Sequence, residues 1–529
     1  MAPAAQSNEN LPSPREERME DEHHEELEIE FRYLTFDTPL PPLQQNENGV
    51  IGPELPDLGR CTSPLAWSRA RKIFITWLSC LSTLVTTYTP GAYTAGLDQY
   101  KAEWHVDATM VYTGITTFTL CFAIAPMVLA PFSEIQGRRP VFVTAGIVYV
   151  ISQIGSGVTA SYAGMLVTRA LAGVSCSVFS TMVGGVVSDL YEAAERNTAM
   201  SIFTGAALCG TGLGPLVSSI IAQHTSWRWI FYVQAISCGV VVMSLIVFFN
   251  ETRGSVLLSR KAKTLNTYYD TRERVGLEGL VESFDNGQKL RLRWKVKADE
   301  ERATVLVLIK ISLLRPLRLL WTESVVFWFS LWMSFAWSIL YMTFEAIPLV
   351  FSVNHDFDTE QTGLVFISIS VASLIAAGIS VFLDHVSRRK RTVSQTPEGR
   401  LYPACLQSML LPIGLFWLGW TLFSSVHWIV PVLAVGCITI GIFSVYLAVF
   451  NYLADTYHVY ASSAIAAQSF CRNVFAAVLP LCTDQMFNAL TFQGASSLLG
   501  GVGVALSIVP WVLVFYGPRI RARSRLAGA

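Results

Sequence analysis

From about residue 73 onward the chain alternates between apolar runs near 20 residues long and short polar connections. Wound as an α-helix, a run of that length crosses about 30 Å of hydrocarbon. The pattern predicts spans at about 73–95, 108–131, 141–159, 163–187, 198–222, 229–249, 324–351, 361–383, 404–424, 428–453, 464–488 and 499–517. They fall six and six around a long polar stretch. The expected fold is therefore an all-α membrane protein, with twelve transmembrane helices in two pseudo-symmetric six-helix bundles.

The polar stretches complete the domain plan. Residues 1–66, with the run Glu16-Glu-Arg-Met-Glu-Asp-Glu-His-His-Glu-Glu26, bury too little apolar surface to fold and are expected to be a disordered tail. Within them Tyr33–Pro42 is more apolar and reads as linker, or as a segment that docks on the membrane domain. Residues 67–250 form the first bundle, 251–322 a central loop, 323–518 the second bundle and 519–529 a basic tail. Within the loop, Arg253 to Lys263 is basic with interleaved leucines, suiting a helix on anionic lipid, and Thr304–Leu314 suggests a second interfacial helix broken at Pro316.

Composition narrows the class. Of 529 residues, 52% are hydrophobic and only 15% charged, against about 25% charged in soluble domains. A formal net charge of −1 gives no overall basic character to favour nucleic acid. The ten cysteines are scattered without CxxC spacing, so neither disulfides nor a metal site are expected. The central loop holds 15 basic residues and 384–403 five, whereas the opposite loops hold only Lys101 and Arg228. Both termini and the central loop are thus predicted to be cytoplasmic. On that side the sequon Asn250-Glu-Thr252 predicts no glycosylation.

Charge inside the spans marks the candidate chemistry, because a mid-depth charge costs at least about 2.5–3.5 kcal/mol and needs a cavity or a partner. Glu345 in span 7 is either a proton-coupling group or an acid that merely reaches water at the outer end. Trp337, Tyr341 and the adjacent Phe344 lead up to it at helical spacing, as an aromatic wall for a flat substrate or as ordinary packing. Arg472 and Gln468 in span 11, with Asn451 ending span 10, line a cavity or pin helix ends. Arg169 in span 4, followed by Gly173 and Ser177, is a proton relay or a structural pairing. In span 5, Gly210 and Gly214 form a close-packing face and Pro215 adds a kink, which suits a gate or plain helix packing. No GxxxxGK[ST] loop is present, so no cofactor is expected and an ion gradient must supply the energy.

Two echoes relate the halves. The charged turn Glu134-Ile-Gln-Gly137-Arg138-Arg139 recurs, degraded, as Asp384-His-Val-Ser387-Arg388-Arg389, and Asp189-Leu-Tyr191 recurs as Asp455-Thr-Tyr457. Internal repeats with midplane sites are the usual build of secondary transporters.

Together Ser133–Pro140, Arg169-Ala-Leu-Ala-Gly173, Gly210–Pro215, Asp189–Arg196, Trp227-Arg-Trp229, Phe344–Pro348 and Tyr516–Arg523 resemble motifs of the major facilitator superfamily. More narrowly they resemble its fungal twelve-span drug:proton antiporters, a group that includes exporters of fungal toxins. The resemblance implies the major facilitator fold, alternating access between the two bundles, and export of a small hydrophobic compound driven by inward protons at the plasma membrane. Protons, membrane lipid and a small-molecule substrate are the implied partners, with the chain a monomer. Glu134, Gly137, Arg138, Arg139, Asp384, Arg388 and Arg389 would then be hinge residues remote from substrate. Alternatives are a proton-coupled uptake carrier, for instance of polyamines, and a non-transporting membrane receptor. An enzyme is not expected, since no nucleophile or metal constellation is visible.

Overall fold

The computed structural model describes residues 29–524 apart from 41–53, 55, 193–194, 275–279, 283–288, 302–303, 391–397 and 458–459. It divides into two compact units, Met1–Leu58 with Leu258–Glu300, and Gly59–Leu257 with Glu301–Ala529.

The larger unit is helical. Its first half comprises α1 (Arg69–Thr94), α2 (Ala108–Ile135), α3 (Arg138–Val158), α4 (Tyr162–Thr181, continued by Val183–Leu190), α5 (Arg196–His224) and α6 (Arg228–Phe248). Its second half comprises α7 (Ser324–His355), α8 (Thr359–Val365 leading into Ile367–Lys390), α9 (Tyr402–Gln407 and Leu410–Thr421), α10 (Ile429–Tyr457), α11 (Ala461–Val478) and α12 (Thr483–Arg523). Among the described residues, ten helical stretches are long and apolar enough to cross a bilayer, and the last, Ala461–Arg523, holds two passes. The remaining pass, α1, carries Ser and Thr along its buried side, where hydroxyls of Thr76, Ser79, Thr83, Thr86 and Thr87 bond back to carbonyls of their own helix. Ile151, Ile236, Phe382 and Phe515 point outward, the arrangement a hydrocarbon solvent requires.

The duplication is visible in the packing. In the first half α1 packs on α5, α2 on α4 and α3 on α6; in the second α7 packs on α11, α8 on α10 and α9 on α12. The halves meet along two seams, α2 against α11 and α5 against α8, which the same repeat relates.

Three boundaries differ from the sequence pattern. Span 11 stops at Val478 rather than near 488, because Pro480 has no amide hydrogen to continue the ladder and the chain tightens into a turn at Leu479–Cys482. The final helix bends at Thr491, whose φ is 64°, and runs on to Arg523, through the first five residues of what reads as a tail. Arg521 there pairs with Glu398 at 2.8 Å, and the Ser524 hydroxyl donates to Glu323 at 2.7 Å. The helix Val305–Thr322 passes through Pro316 without a break and packs against both α2 and α11.

In the smaller unit one stretch of the expected disordered tail is ordered. Residues Ile29–Tyr33 form β1, which pairs in parallel with β3 (Lys289–Lys295), while β2 (Leu280–Glu282) pairs with β3 in antiparallel. The basic helix Gly254–Arg274 has its apolar residues buried rather than free for lipid: Ala262, Leu265, Tyr268 and Tyr269 join Leu34, Leu292, Trp294 and Val296 in one core. Strand β3 supplies an alternating apolar face, and β1 docks at its edge where no single stretch could bury enough surface alone. Met1–Glu28, which contains the acidic run, lies outside the described residues.

Candidate functional site

Helix α7 presents one continuous buried face. Trp337, Tyr341 and Phe344 are all buried, with ring centroids 6.3 Å apart for Trp337 and Tyr341 and 5.4 Å for Tyr341 and Phe344. Phe366 extends the row at 6.1 Å from Phe344. Tyr446 of α10, which the sequence pattern does not single out, closes it from the other side at 5.5 Å from Trp337 and stacks on Phe450 at 4.8 Å. Its only signal in the sequence is an aromatic at mid-span between small and apolar neighbours.

Glu345 continues this face outward. It is 5% exposed, and neither carboxylate oxygen is within hydrogen-bonding geometry of a donor among the described residues. Thr483 and Asp484, at the start of α12, and Tyr112 of α2 are its polar neighbours. A carboxyl in such a setting is chemically able to carry a proton while buried and to give it up when water reaches it.

Arg472 of α11 is 1% exposed and lies with its guanidinium carbon 4.6 Å from the Trp337 ring centroid and 5.2 Å from that of Tyr446. Gln468, one turn earlier on the same helix face, is fully buried and neither of its amide atoms has a partner. The structure thus sets Arg472 against Trp337 and Tyr446, with Gln468 one turn away on α11 and Tyr341, Phe344 and Glu345 one to two turns further along α7. It does not bring Asn451 to them. The Asn451 amide donates to Asn197 at 2.7 Å, joining α10 to the start of α5.

Arg169 sits apart, within the first half. Its guanidinium carbon is 4.6 Å from both the Tyr93 and Phe118 ring centroids, and neither Nη atom has a partner. Its support is the two cation–π contacts, worth about 0.5–2 kcal/mol each, and the bond its Nε donates to the Gly114 carbonyl at 3.4 Å. No ion pair with Glu345 forms.

The glycines of α5 are contact points. A Cβ on Gly210 would run into the Leu84 carbonyl, and one on Gly214 into that of Tyr88, so the backbones of α1 and α5 touch there. Pro215 packs against Gly91 of α1.

The charged turn between α2 and α3 sits at the end of the bundle that also carries Arg253 and Arg521, hereafter the basic end. Gly137 has φ 104°, open to glycine at little cost, and a Cβ there would strike the Glu251 carboxylate. Glu251 caps α3, accepting from the Arg138 amide at 2.8 Å and the Arg139 amide at 3.2 Å, and also from the amides of Thr252 and Arg253. The buried Arg138 side chain pairs with Asp189 at 3.1 Å and donates to Ser133 at 3.0 Å, and Arg253 reaches Asp189 at 3.4 Å. Arg139 donates to the Ile246 carbonyl. Glu134 is exposed; the acids of the hub are Asp189 and Glu251. Asp189 was legible as half of a repeated triplet, whereas Glu251 hid inside a sequon at the end of span 6. In the second half Asp384 accepts from Thr198 of α5 at 3.0 Å, joining the two halves. Arg388 and Arg389 lie in the last turn of α8, their side chains outside the described residues.

Residues 75–480 match the family model described as Major Facilitator Superfamily. The MFS-type transporter paaT of Penicillium rubens is 32% identical over 468 residues, covering 88% of this chain and 82% of that one. The multidrug transporter mdrA of Aspergillus fumigatus is 32% identical, covering 88% and 74%. The efflux pump FUB11 of Gibberella moniliformis is 31% identical, covering 87% and 75%. Among solved structures, the proton:xylose symporter XylE bound to 6-bromo-6-deoxy-D-glucose superposes with a TM-score of 0.60 at 15% identity, covering 85% of this chain and 97% of that one.

Proposed function

The chain belongs to the major facilitator superfamily and is a multi-pass membrane transporter, and from that premise we propose that it is a proton-coupled exporter of a small hydrophobic or amphipathic compound, a secondary metabolite, toxin or xenobiotic. The observation that carries the coupling is Glu345, a buried carboxyl without a partner at the outer end of the aromatic face. A proton taken up there from outside and released inside would accompany the return of the empty carrier, with substrate leaving on the opposite half-cycle. Relatives named as efflux pumps and multidrug transporters support the outward direction. The basic end is cytoplasmic in this reading, both termini included, and the membrane is the plasma membrane.

Each 100 mV of potential supplies about 2.3 kcal/mol per charge moved, and each pH unit about 1.36 kcal/mol. With both present, about 3.7 kcal/mol, one proton per neutral substrate sustains a gradient of between two and three orders of magnitude. The chain acts as a monomer and needs no cofactor besides that gradient. The test is Glu345→Gln in proteoliposomes. We expect transport driven by an imposed pH gradient to disappear while substrate exchange at equal pH persists. Uphill transport that still follows the pH gradient in the variant refutes the assignment.

A further inference from the structure

Arg472 carries a charge that the protein leaves uncompensated. Among the described residues its Nε and Nη1 have no acceptor, and Nη2 bonds only to Ser469 on its own helix, at 3.3 Å. No carboxylate of the described residues pairs with it, and Glu345 lies eight residues beyond Trp337 on α7, about 12 Å along the axis. The rings of Trp337 and Tyr446 flank it, but ring faces offset only part of what burying a cation costs. Around it are more unspent donors: the indole Nε1 of Trp337 and the amide nitrogen of Gln468 have no partners either. Two polar side chains of α11 and one of α7 therefore hold free hydrogens beside the aromatic wall.

We propose that Arg472 is an anion subsite, and that the substrate class is an amphipathic organic acid, a carboxylate joined to a flat apolar body. The carboxylate oxygens accept from the Arg472 guanidinium, with the Gln468 amide and the Trp337 indole as the neighbouring donors. The ring system rests along Trp337, Tyr341 and Tyr446. A guanidinium is suited to this role because it keeps its charge when desolvated and offers several donors in one plane. Glu345 remains the proton site and takes no part in binding the anion. The proposal rests on the transport reading above and adds the chemical class of the cargo.

The experiment uses the purified full chain and matched probe pairs: 2-naphthoate with 2-naphthamide, and indole-3-carboxylate with its amide. Equilibrium binding is measured for the wild type, Arg472→Gln and Arg472→Lys. Because a hydrogen bond to a charged group is worth about 1.5–3 kcal/mol, the wild type should favour acid over amide by about tenfold or more. In Arg472→Gln the ratio should fall to near one with amide binding retained, which also shows that the variant is folded. Arg472→Lys should keep an intermediate preference. A wild type that binds no acid better than its amide overturns the proposal, whatever the variants do, and so does an Arg472→Gln protein that keeps the full preference. Transport is then read separately: acid binding that depends on Arg472 without export under a pH gradient would refute the exporter reading and leave the anion subsite standing.

Discussion

A single carboxylate, that of Glu251, holds the charged turn together. It accepts from four backbone amides, so it fixes the start of α3 and the backbone after α6 in one bond set. Glu251→Gln removes the charge while preserving shape, and hydrogen bonds to charged groups are worth about 1.5–3 kcal/mol. We expect a lower melting temperature in thermal-shift measurements and a slower transport rate, with the order of preference among substrates unchanged. Gly137→Ala should act in the same direction by another cause, adding about 1–3 kcal/mol of backbone strain at φ 104° and a collision with the same carboxylate. At the opposite end, Arg228 at 2.6 Å, with the Trp227 indole, holds the Glu103 carboxyl below its ordinary range. A depressed carboxyl contributes stability above its unfolded titration range and loses it as pH falls through the folded one. Because the pair is about a third exposed, Glu103→Gln should cost under about 1 kcal/mol at pH 7 and nothing in strong acid. A thermal-shift series over pH 3–7 checks the sign.

Among the elements, α5 is the most constrained, lying between α1 and α8 with glycine on both faces. Gly210→Val would push a side chain into the Leu84 backbone, which cannot move aside as a flexible side chain would. We expect little folded protein and no transport from it. Gly239→Val in α6 is the matched control, since nothing lies within 4 Å of the added Cβ, and it should behave as wild type. The glycine spacing was readable in the chain, because close helix approach leaves small residues at every fourth position. Spans were readable for a similar reason, as hydrocarbon imposes length and apolarity on each pass separately. What the chain hid were pairings between distant stretches. Tyr446 against Trp337 and Glu251 against Arg138 depend on how helices rotate within the bundle, and periodicity alone does not report rotation. Glu134, four residues before Arg138, looks in sequence like that arginine's partner, yet it is exposed and Asp189 takes the place.

For the whole molecule the α5–α8 seam is the place to test alternation between two states. Near the basic end the hydroxyls of Ser201 and Ser380 approach to 2.9 Å, within reach of a disulfide if both were cysteines. In Ser201→Cys/Ser380→Cys, oxidation should stop transport and reduction restore it, while each single variant stays active under both conditions. Continued transport by the oxidised double variant, with cross-linking verified by mass spectrometry, would mean that this seam does not open during turnover.

The pairing of Ile29 with Arg291 sets a schedule for biosynthesis. About 260 residues separate the two strands, so at 5–20 residues per second β1 waits on the order of 13–50 s for its partner to leave the ribosome. All of α1–α6 is made in that interval. The sheet closes only if both strands emerge on one side of the bilayer, which demands an even number of crossings in between. A nascent chain that has missed or gained a crossing keeps β1 unpaired, with its backbone edge and Leu34, which is buried in the folded chain, open to chaperones and proteases. Completion of the sheet is thus a parity check, written in the folded chain, on the crossings made between its two strands.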